Sequence, residues 1–452
     1  MKNVLIIAHG FPPIGGVGVQ RPYKFTQYLP DLGWNPIVLT QVARYSATWD
    51  ESLLNLLEQR HTPIYRAQNP MMTLQYYMHK RKNRRDHASS LKVDRTIAQS
   101  VAAEGQSARR KMIRLLKGLR DQLLIPDAEI FWLPYAVAVG LRALQSHPID
   151  AIYATSPPET SLLVAAILSQ MTGVPLIADF RDPWVANLHR KESGFRHAIE
   201  KRLEGFVFAR AARITTVTES FRVAFATRYP QYRDKIFVIS NGYDASDLEL
   251  PGDIVNSTHE RMHIYYGGIL YEKRSPTVFL YALARVLEQQ PNMRDHIRVQ
   301  FAGVFDYPGR SANRELVAKL GLEDVVEVIG YVAHADHMRY MARADLLLVI
   351  GDQTPEAAAY VPAKVYEYLG SGKPILGLIH VGEASWLVQE CEAGRVVDVQ
   401  DEDGAADVIH YFYETWVSGE LANWKHHPLA KKYERKEQTH LLAEHLNAIV
   451  RQ

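Results

Sequence analysis

The chain has 452 residues, 47% of them hydrophobic, a formal net charge of +2 and a single cysteine. That is more apolar chain than one core of roughly 250 to 300 residues absorbs, so two domains are expected, and the near-zero net charge argues against nucleic acid as a bulk electrostatic partner. Cys391 alone forms no intrachain disulfide, which is compatible with a reducing compartment. The opening MKNVLIIAHGFPP reads as a buried strand and not as a secretory signal. The charge-free run Ile130 to Leu141, near a helix, falls short of the roughly 20 residues a bilayer span needs, so no spanning segment is expected.

In chain order, short β-branched runs alternate with helical patterns, the pattern of parallel βαβ units covered by helices on both faces. The first half predicts six strands: Val4 to Ala8, Pro36 to Thr40, Ile149 to Ala154, Pro175 to Asp179, Ile214 to Thr218 and Ile236 to Ser240. The second half predicts six more: His263 to Tyr266, Ile297 to Ala302, Val325 to Ile329, Leu346 to Ile350, Pro374 to Ile379 and Arg395 to Val399. Between them, Asn241 to Thr258 is polar, acidic and rich in turn formers, as a linker is.

One segment breaks the rhythm. From Lys80 to Arg120 thirteen Lys or Arg stand against three acids, and Arg109 to Leu124 places Met112, Leu115, Leu116, Leu119 and Leu123 on one helical face. Such a basic amphipathic helix suits an anionic membrane surface, and would equally suit a solvated helix packed on the first domain.

Candidate chemistry sits at the turns after strands. The first βα turn, GFPPIGGVGVQRP, puts Gly15, Gly16 and Gly18 before a helix, where backbone amides approach a phosphate or sugar. It is not a dinucleotide fingerprint: Gly16 onward reads Gly-Val-Gly-Val-Gln-Arg, without the third glycine, and the second strand ends in Thr40-Gln41 with no acid for a ribose. A tight turn without ligand would use the same glycines. In ADFRDPW, Arg181 and Asp182 emerge at the carboxyl edge of the sheet, where an acid and a guanidinium orient an acceptor hydroxyl or take its proton, or simply pair with one another. In the second half, GGILYEKRSP offers Lys273 and Arg274 to a departing diphosphate, as it would to a solvated turn. In YVPAKVYEYLGSGKP, Pro362 suits a first helical turn, so Ala363 and Lys364 offer amides and charge to phosphate. Glu367, at i+3 from Lys364, shares its face and suits ribose hydroxyls, or a plain salt bridge.

These motifs, with LGWNPIVLT, ISNGYD, VIGYV and ARADLLLVIG in the same order, resemble the retaining GT-B glycosyltransferases, specifically glycosyltransferase family four, over nearly the whole chain. The resemblance implies an α/β chain of two Rossmann-like, doubly wound parallel-sheet domains facing a cleft. The N-terminal one (residues 1–245, with a basic helical insertion at about 71–124) takes the acceptor, the C-terminal one (259–431) takes the nucleotide sugar, and a final helix (432–452) crosses back. It places Glu367 on the donor ribose, Lys273 and Arg274 on the diphosphate, and Gly330 to Val332 at the base.

The expected donor contacts are thus Gly16, Lys273, Arg274, Val332, Ala363, Lys364 and Glu367. The expected acceptor contacts are Gly15, Gly16, Arg181 and Asp182, and the candidate catalytic residues are Asp182, Arg181 and Arg274. Two positions depart from the family: Gly267-Gly268 replaces its Gly-Arg, so Arg274 or Lys364 must supply that charge, and Ala359 replaces the first of its paired glutamates, with Glu356 at the wrong spacing to substitute. No Asp-x-Asp follows a strand of the first domain, so no metal and no cofactor is expected, and side chains and helix N-termini neutralise the leaving group. The expected partners are a nucleotide sugar, a glycan or lipid-linked acceptor and an anionic membrane surface through residues 80–120, in the cytoplasm and peripheral on the inner face of the membrane. A non-catalytic nucleotide-sugar binder or scaffold of polysaccharide assembly, and a nucleotide-sugar epimerase, are the alternatives.

Overall fold

The computed structural model describes residues 1–43, 60–71, 124–185, 194–248, 260–271, 273–307 and 310–450, with the single positions 54, 57 and 73. The basic segment 80–120 and its amphipathic helix lie outside the described residues. Among the described residues no helix is long and apolar enough to cross a membrane.

The chain divides into two compact units, the first comprising Met1–Val217, Phe221–Ile239 and Thr439–Gln452, the second Thr218–Ser220 and Ser240–Gln438. The first holds a sheet of seven strands: β1 (Lys2–Ile7), β2 (Trp34–Gln41), β3 (Ile64–Ala67), β4 (Ala151–Ser156), β5 (Leu176–Phe180), β6 (Arg213–Thr216) and β7 (Ile236–Val238). Their order is β3-β2-β1-β4-β5-β6-β7, every pairing parallel. The sequence predicted six; β3 escaped because it is a four-residue edge strand with Arg66 in it and no apolar run. Strands β4 and β5 are buried at every residue, as parallel strands covered on both faces must be. The core of this unit joins Val4, Ile6, Tyr153 and Ile177 to Leu442, Ala443, Leu446 and Ile449 from the end of the chain.

The second unit repeats the plan with β8 (Met262–Ile269), β9 (Ile297–Val304), β10 (Val326–Gly330), β11 (Leu346–Ile350), β12 (Ile375–Leu378) and β13 (Gly394–Val397), in the parallel order β10-β9-β8-β11-β12-β13. Alternate residues serve opposite layers. Ile264, Leu346 and Leu348 pack with Phe279, Leu283, Ile409 and Phe412, while Tyr265, Leu347 and Val349 pack with Met338, Met341, Val365, Tyr368 and Leu369. In each sheet the strand order reverses beside the first strand of the unit, between β1 and β4 and between β8 and β11, and open α/β sheets bind ligands outside the carboxyl ends at such a reversal.

Candidate functional site

At the reversal of the second sheet, β8 runs out into Gly267 and Gly268, whose φ of +147° favours glycine. The chain then closes a turn in which the amide N–H of Tyr271 and the carbonyl of Arg274, and the N–H of Arg274 and the carbonyl of Tyr271, pair at 3.1 and 2.7 Å. The loop after β11 is tied to this turn, the Gln353 N–H donating to the Lys273 carbonyl at 2.7 Å and the Tyr271 hydroxyl to Asp352 at 2.9 Å. Burial alone would raise the Asp352 carboxyl; bonds from Thr354 and Tyr271, with the Lys273 charge, hold it below its ordinary value. Arg274 lies over the Tyr271 ring at 5.1 Å, while Lys273 is exposed.

The third wall is helix α1 of this site (Ala363–Ser371), which begins at Ala363 after Pro362 and ends at Gly372 in the left-handed conformation. Pro362 is therefore the residue before the helix, not its first turn, and the free amides of the helix start at Ala363 and Lys364. The Lys364 ammonium nitrogen sits 3.8 Å from the centre of the Tyr266 ring, and a Cβ added at Gly268 would lie 2.7 Å from it. The space a side chain at 268 would take is occupied by Lys364. Both Lys364 Nζ and Arg274 Nε are buried with no hydrogen-bond partner. Burial first, then the Arg274 charge, pushes the Lys364 amine well below its ordinary value, with Glu367 opposing. A buried ammonium and a buried guanidinium Nε, each without a hydrogen-bond partner, are costly in the free protein and complementary to an anion.

Glu367 does not pair with Lys364 as the i+3 spacing allowed. Its oxygen Oε2 lies 3.5 Å from His337 Nε2, on the helix His334–Arg343, and His337 Nδ1 lies 2.7 Å from the Tyr265 hydroxyl. Val332 is half-buried against the layer of Tyr265, beside Gly330 at φ +85° and the 90% exposed Tyr331. Ala359 ends the short helical turn Pro355–Ala359, on which Glu356 is exposed. The structure thus brings Arg274, Lys364, Ala363 and Glu367 to one place; His337, Tyr265, Tyr266, Tyr271 and Asp352 there carried no sequence signal.

In the first unit Gly16, at φ +111°, precedes the helix Val17–Tyr28 and is exposed, with Gly15 half-buried. From that helix Arg21 reaches Asp179 at the end of β5, with Nε to Oδ2 at 3.0 Å and Nη2 to Oδ1 at 2.9 Å. Asp179 also accepts from Tyr153, Thr155 and Thr215 at 2.8, 2.7 and 2.7 Å. Burial would raise this carboxyl, but the charge and bonds of Arg21, with those of Thr215 and Thr155, hold it below its ordinary value. Arg181 donates to the carbonyls of Ser156 (2.7 Å), Gly18 (2.8 Å) and Pro157 (3.0 Å), so it is a strut under the glycine turn. Asp182 lies half-buried within its field. His9, two residues beyond β1, approaches Glu129 Oε2 at 3.4 Å, Asn69 also donates to Glu129, and the His9 ring meets Trp132 edge-on at 5.0 Å.

Two family models match: "Glycosyl transferase 4-like domain" over residues 84–242 and "Glycosyl transferases group 1" over 260–415, together more than half of the chain. Comparison by sequence with curated proteins gives no match. Among solved structures the chain is similar to Anabaena Alr3699/HepE in complex with UDP and glucose, at 17% identity and a TM-score of 0.60, covering 99% of this chain and 100% of that one. It is similar to sucrose-phosphate synthase of Thermosynechococcus elongatus, at 14% identity and TM-score 0.59 over 100% and 98%. It is also similar to WaaG, a glycosyltransferase involved in lipopolysaccharide biosynthesis, at 13% identity and TM-score 0.55 over 98% and 99%. Two Rossmann-like parallel-sheet units of this kind are the GT-B fold. With both family models matched, the chain belongs to the glycosyltransferases of GT-B type.

Proposed function

We propose that this glycosyltransferase moves a sugar from a nucleotide-sugar donor to a glycan or lipid-linked acceptor with retention of configuration, in cell-surface polysaccharide or glycoconjugate biosynthesis. The observation that carries the reading is the pair of buried, partnerless cationic nitrogens, Lys364 Nζ and Arg274 Nε, at the reversal point of the second sheet. A diphosphate supplies the negative oxygens both lack, and HepE, which holds UDP and glucose, shares the fold. As the bond from the anomeric carbon to the diphosphate breaks, the charge growing on the leaving oxygen is met by Arg274, Lys364 and the amides at Ala363, with Lys273 at the rim. Glu367 takes the ribose hydroxyls, and the chain around Val332 takes the base. This route uses side-chain charge and not a metal ion.

On the acceptor side, Gly15 and Gly16 offer backbone amides and Asp182 orients the hydroxyl or receives its proton, with Arg181 fixing the turn that carries the glycines. Positioning and charge stabilisation supply the rate enhancement. Replacing Glu367 or Arg274 by alanine is expected to lower sugar transfer at least about tenfold, as loss of one contact of roughly 1.4 kcal/mol does. Unchanged transfer in both variants rejects the donor assignment. Product analysis separates the alternatives: an epimerase alters the sugar while it stays on the nucleotide, and a binder or scaffold leaves the donor intact. We assign residues 80–120 to an anionic membrane surface on the cytoplasmic face, on the strength of their thirteen basic residues. Binding to vesicles should then strengthen with anionic lipid and weaken with salt; equal binding to neutral vesicles at every salt concentration removes that assignment.

A further inference from the structure

We infer that His337 is a positioning residue for Glu367, presenting an N–H to one carboxylate oxygen so that the other is held toward the ribose hydroxyls of the donor nucleotide. The inference rests on the reading of Glu367 given above and goes beyond it, because nothing in the comparisons or the sequence motifs assigns position 337.

Three observations carry it. The imidazole Nδ1 lies at hydrogen-bond distance from the Tyr265 hydroxyl, 2.7 Å, which turns Nε2 toward the Glu367 carboxylate at a longer 3.5 Å from Oε2. Its anchor is rigid: Tyr265 is fully buried on β8 and stacks on Tyr340 at 5.8 Å with 6° between the ring planes. Its seat is cut to shape, since a Cβ at Gly267 would lie 2.4 Å from His337 Cε1 and 2.6 Å from Nδ1. Any other residue at 267 displaces the ring, which gives the first glycine of the Gly267-Gly268 pair a role separate from that of the second. With the phenol donating to Nδ1, the neutral ring carries its proton on Nε2 and turns that N–H toward the carboxylate.

Lys364, three residues before Glu367, does not compete for it, its ammonium being turned to Tyr266 and Gly268. The Glu367 side chain keeps 32% of its surface exposed, against 16% for His337, so the carboxylate and not the imidazole is the group left open to ligand. A glutamate with no neighbour on a helix surface would lose rotamer freedom on binding; one drawn toward a fixed imidazole loses less.

The test is a coupling measurement. Calorimetry gives the affinities of UDP and GDP, and of their 2′-deoxy and 3′-deoxy forms, for the full chain and for His337→Gln, His337→Ala, Tyr265→Phe and Glu367→Ala. In the unaltered chain, removal of the ribose hydroxyl that Glu367 holds should weaken binding about tenfold, a typical loss for a charge-assisted hydrogen bond. In Glu367→Ala and His337→Ala that penalty should shrink to about twofold or less, with His337→Gln and Tyr265→Phe between, while affinity for the deoxy compound itself stays within about twofold. A merely structural role for His337 lowers affinity for the hydroxyl and deoxy forms equally, and that result overturns the inference. So does a full penalty in both His337 variants when Glu367→Ala has lost it, which leaves the ribose reading of Glu367 standing. No penalty in the unaltered chain overturns the inference and the ribose reading together.

Discussion

Lys364 is the residue whose removal should have opposite effects on stability and on binding. In the free protein its ammonium is buried, lies over the Tyr266 ring and finds no hydrogen-bond partner. An unsatisfied buried polar group costs about 1–3 kcal/mol, more when charged, and methionine keeps the unbranched stem without that cost. Lys364→Met should therefore stabilise the ligand-free protein by roughly 1–2 kcal/mol, raising the melting temperature of a domain of this size by about 2–8 °C. The same substitution removes a charge-assisted bond to the diphosphate of about 1.5–3 kcal/mol, a weakening of roughly 12- to 160-fold. Thermal unfolding without ligand and calorimetry with UDP and GDP measure the two effects. A variant that melts lower and binds as tightly as before would show Lys364 to be a structural residue and refute the reasoning. The pH dependence has a definite sign. Because burial and Arg274 hold the folded-state pKa of Lys364 well below its ordinary value, the unfolded chain binds the extra proton between those two values. Stability from this group therefore rises with pH across that window, and Lys364→Met should flatten the rise.

Gly268→Ala places a Cβ 2.7 Å from Lys364 Nζ at a φ of +147°, so it should lower both stability, by about 1–2 kcal/mol, and affinity for nucleoside diphosphate, where Lys364→Met lowers only the second; melting and calorimetry read both. Asp179→Asn leaves Arg21 buried without its counter-charge and should destabilise by about 3–5 kcal/mol, measured by urea midpoint. Asp179 is held below its ordinary carboxylate range, so the stability it contributes is complete above that range and is lost as pH falls through its folded value. In Asp179→Asn the acid limb of stability against pH should be shallower by that contribution; an unchanged limb shows that the network does not titrate as a paired carboxylate.

The strands were readable because parallel sheets bury both faces, which leaves near-continuous apolar runs such as Leu346–Ile350, found at its expected bounds. The same reasoning missed β3, where four edge residues leave too little pattern to see. Arg274, Lys364 and Glu367 were readable as charged groups at turns after strands, but their partners were not. The helical period places Lys364 and Glu367 on one face; only the tertiary packing of Tyr266, Gly268 and His337 shows that the two turn to different neighbours. His337 lies on a helix with charged and polar neighbours, and no spacing links it to Glu367 or to Tyr265. In the first unit Arg21 and Asp179 are 158 residues apart and meet because the sheet order β1-β4-β5 brings the helix that follows β1 to the end of β5. The one available hint was an acid at the end of an apolar strand, which burial makes expensive without a partner. Arg181 reads in the sequence as a group facing ligand, but it donates to carbonyls at the end of β4, in the following turn and in the helix Val17–Tyr28.

The donor assignment is tested most directly by a crystal structure of the chain with UDP or GDP, whichever binds more tightly. Phosphate oxygens within hydrogen-bond distance of both Lys364 Nζ and Arg274 Nε, with a ribose hydroxyl on Glu367, are the predicted result. A nucleotide bound with its diphosphate away from those two nitrogens, which stay partnerless, would contradict it.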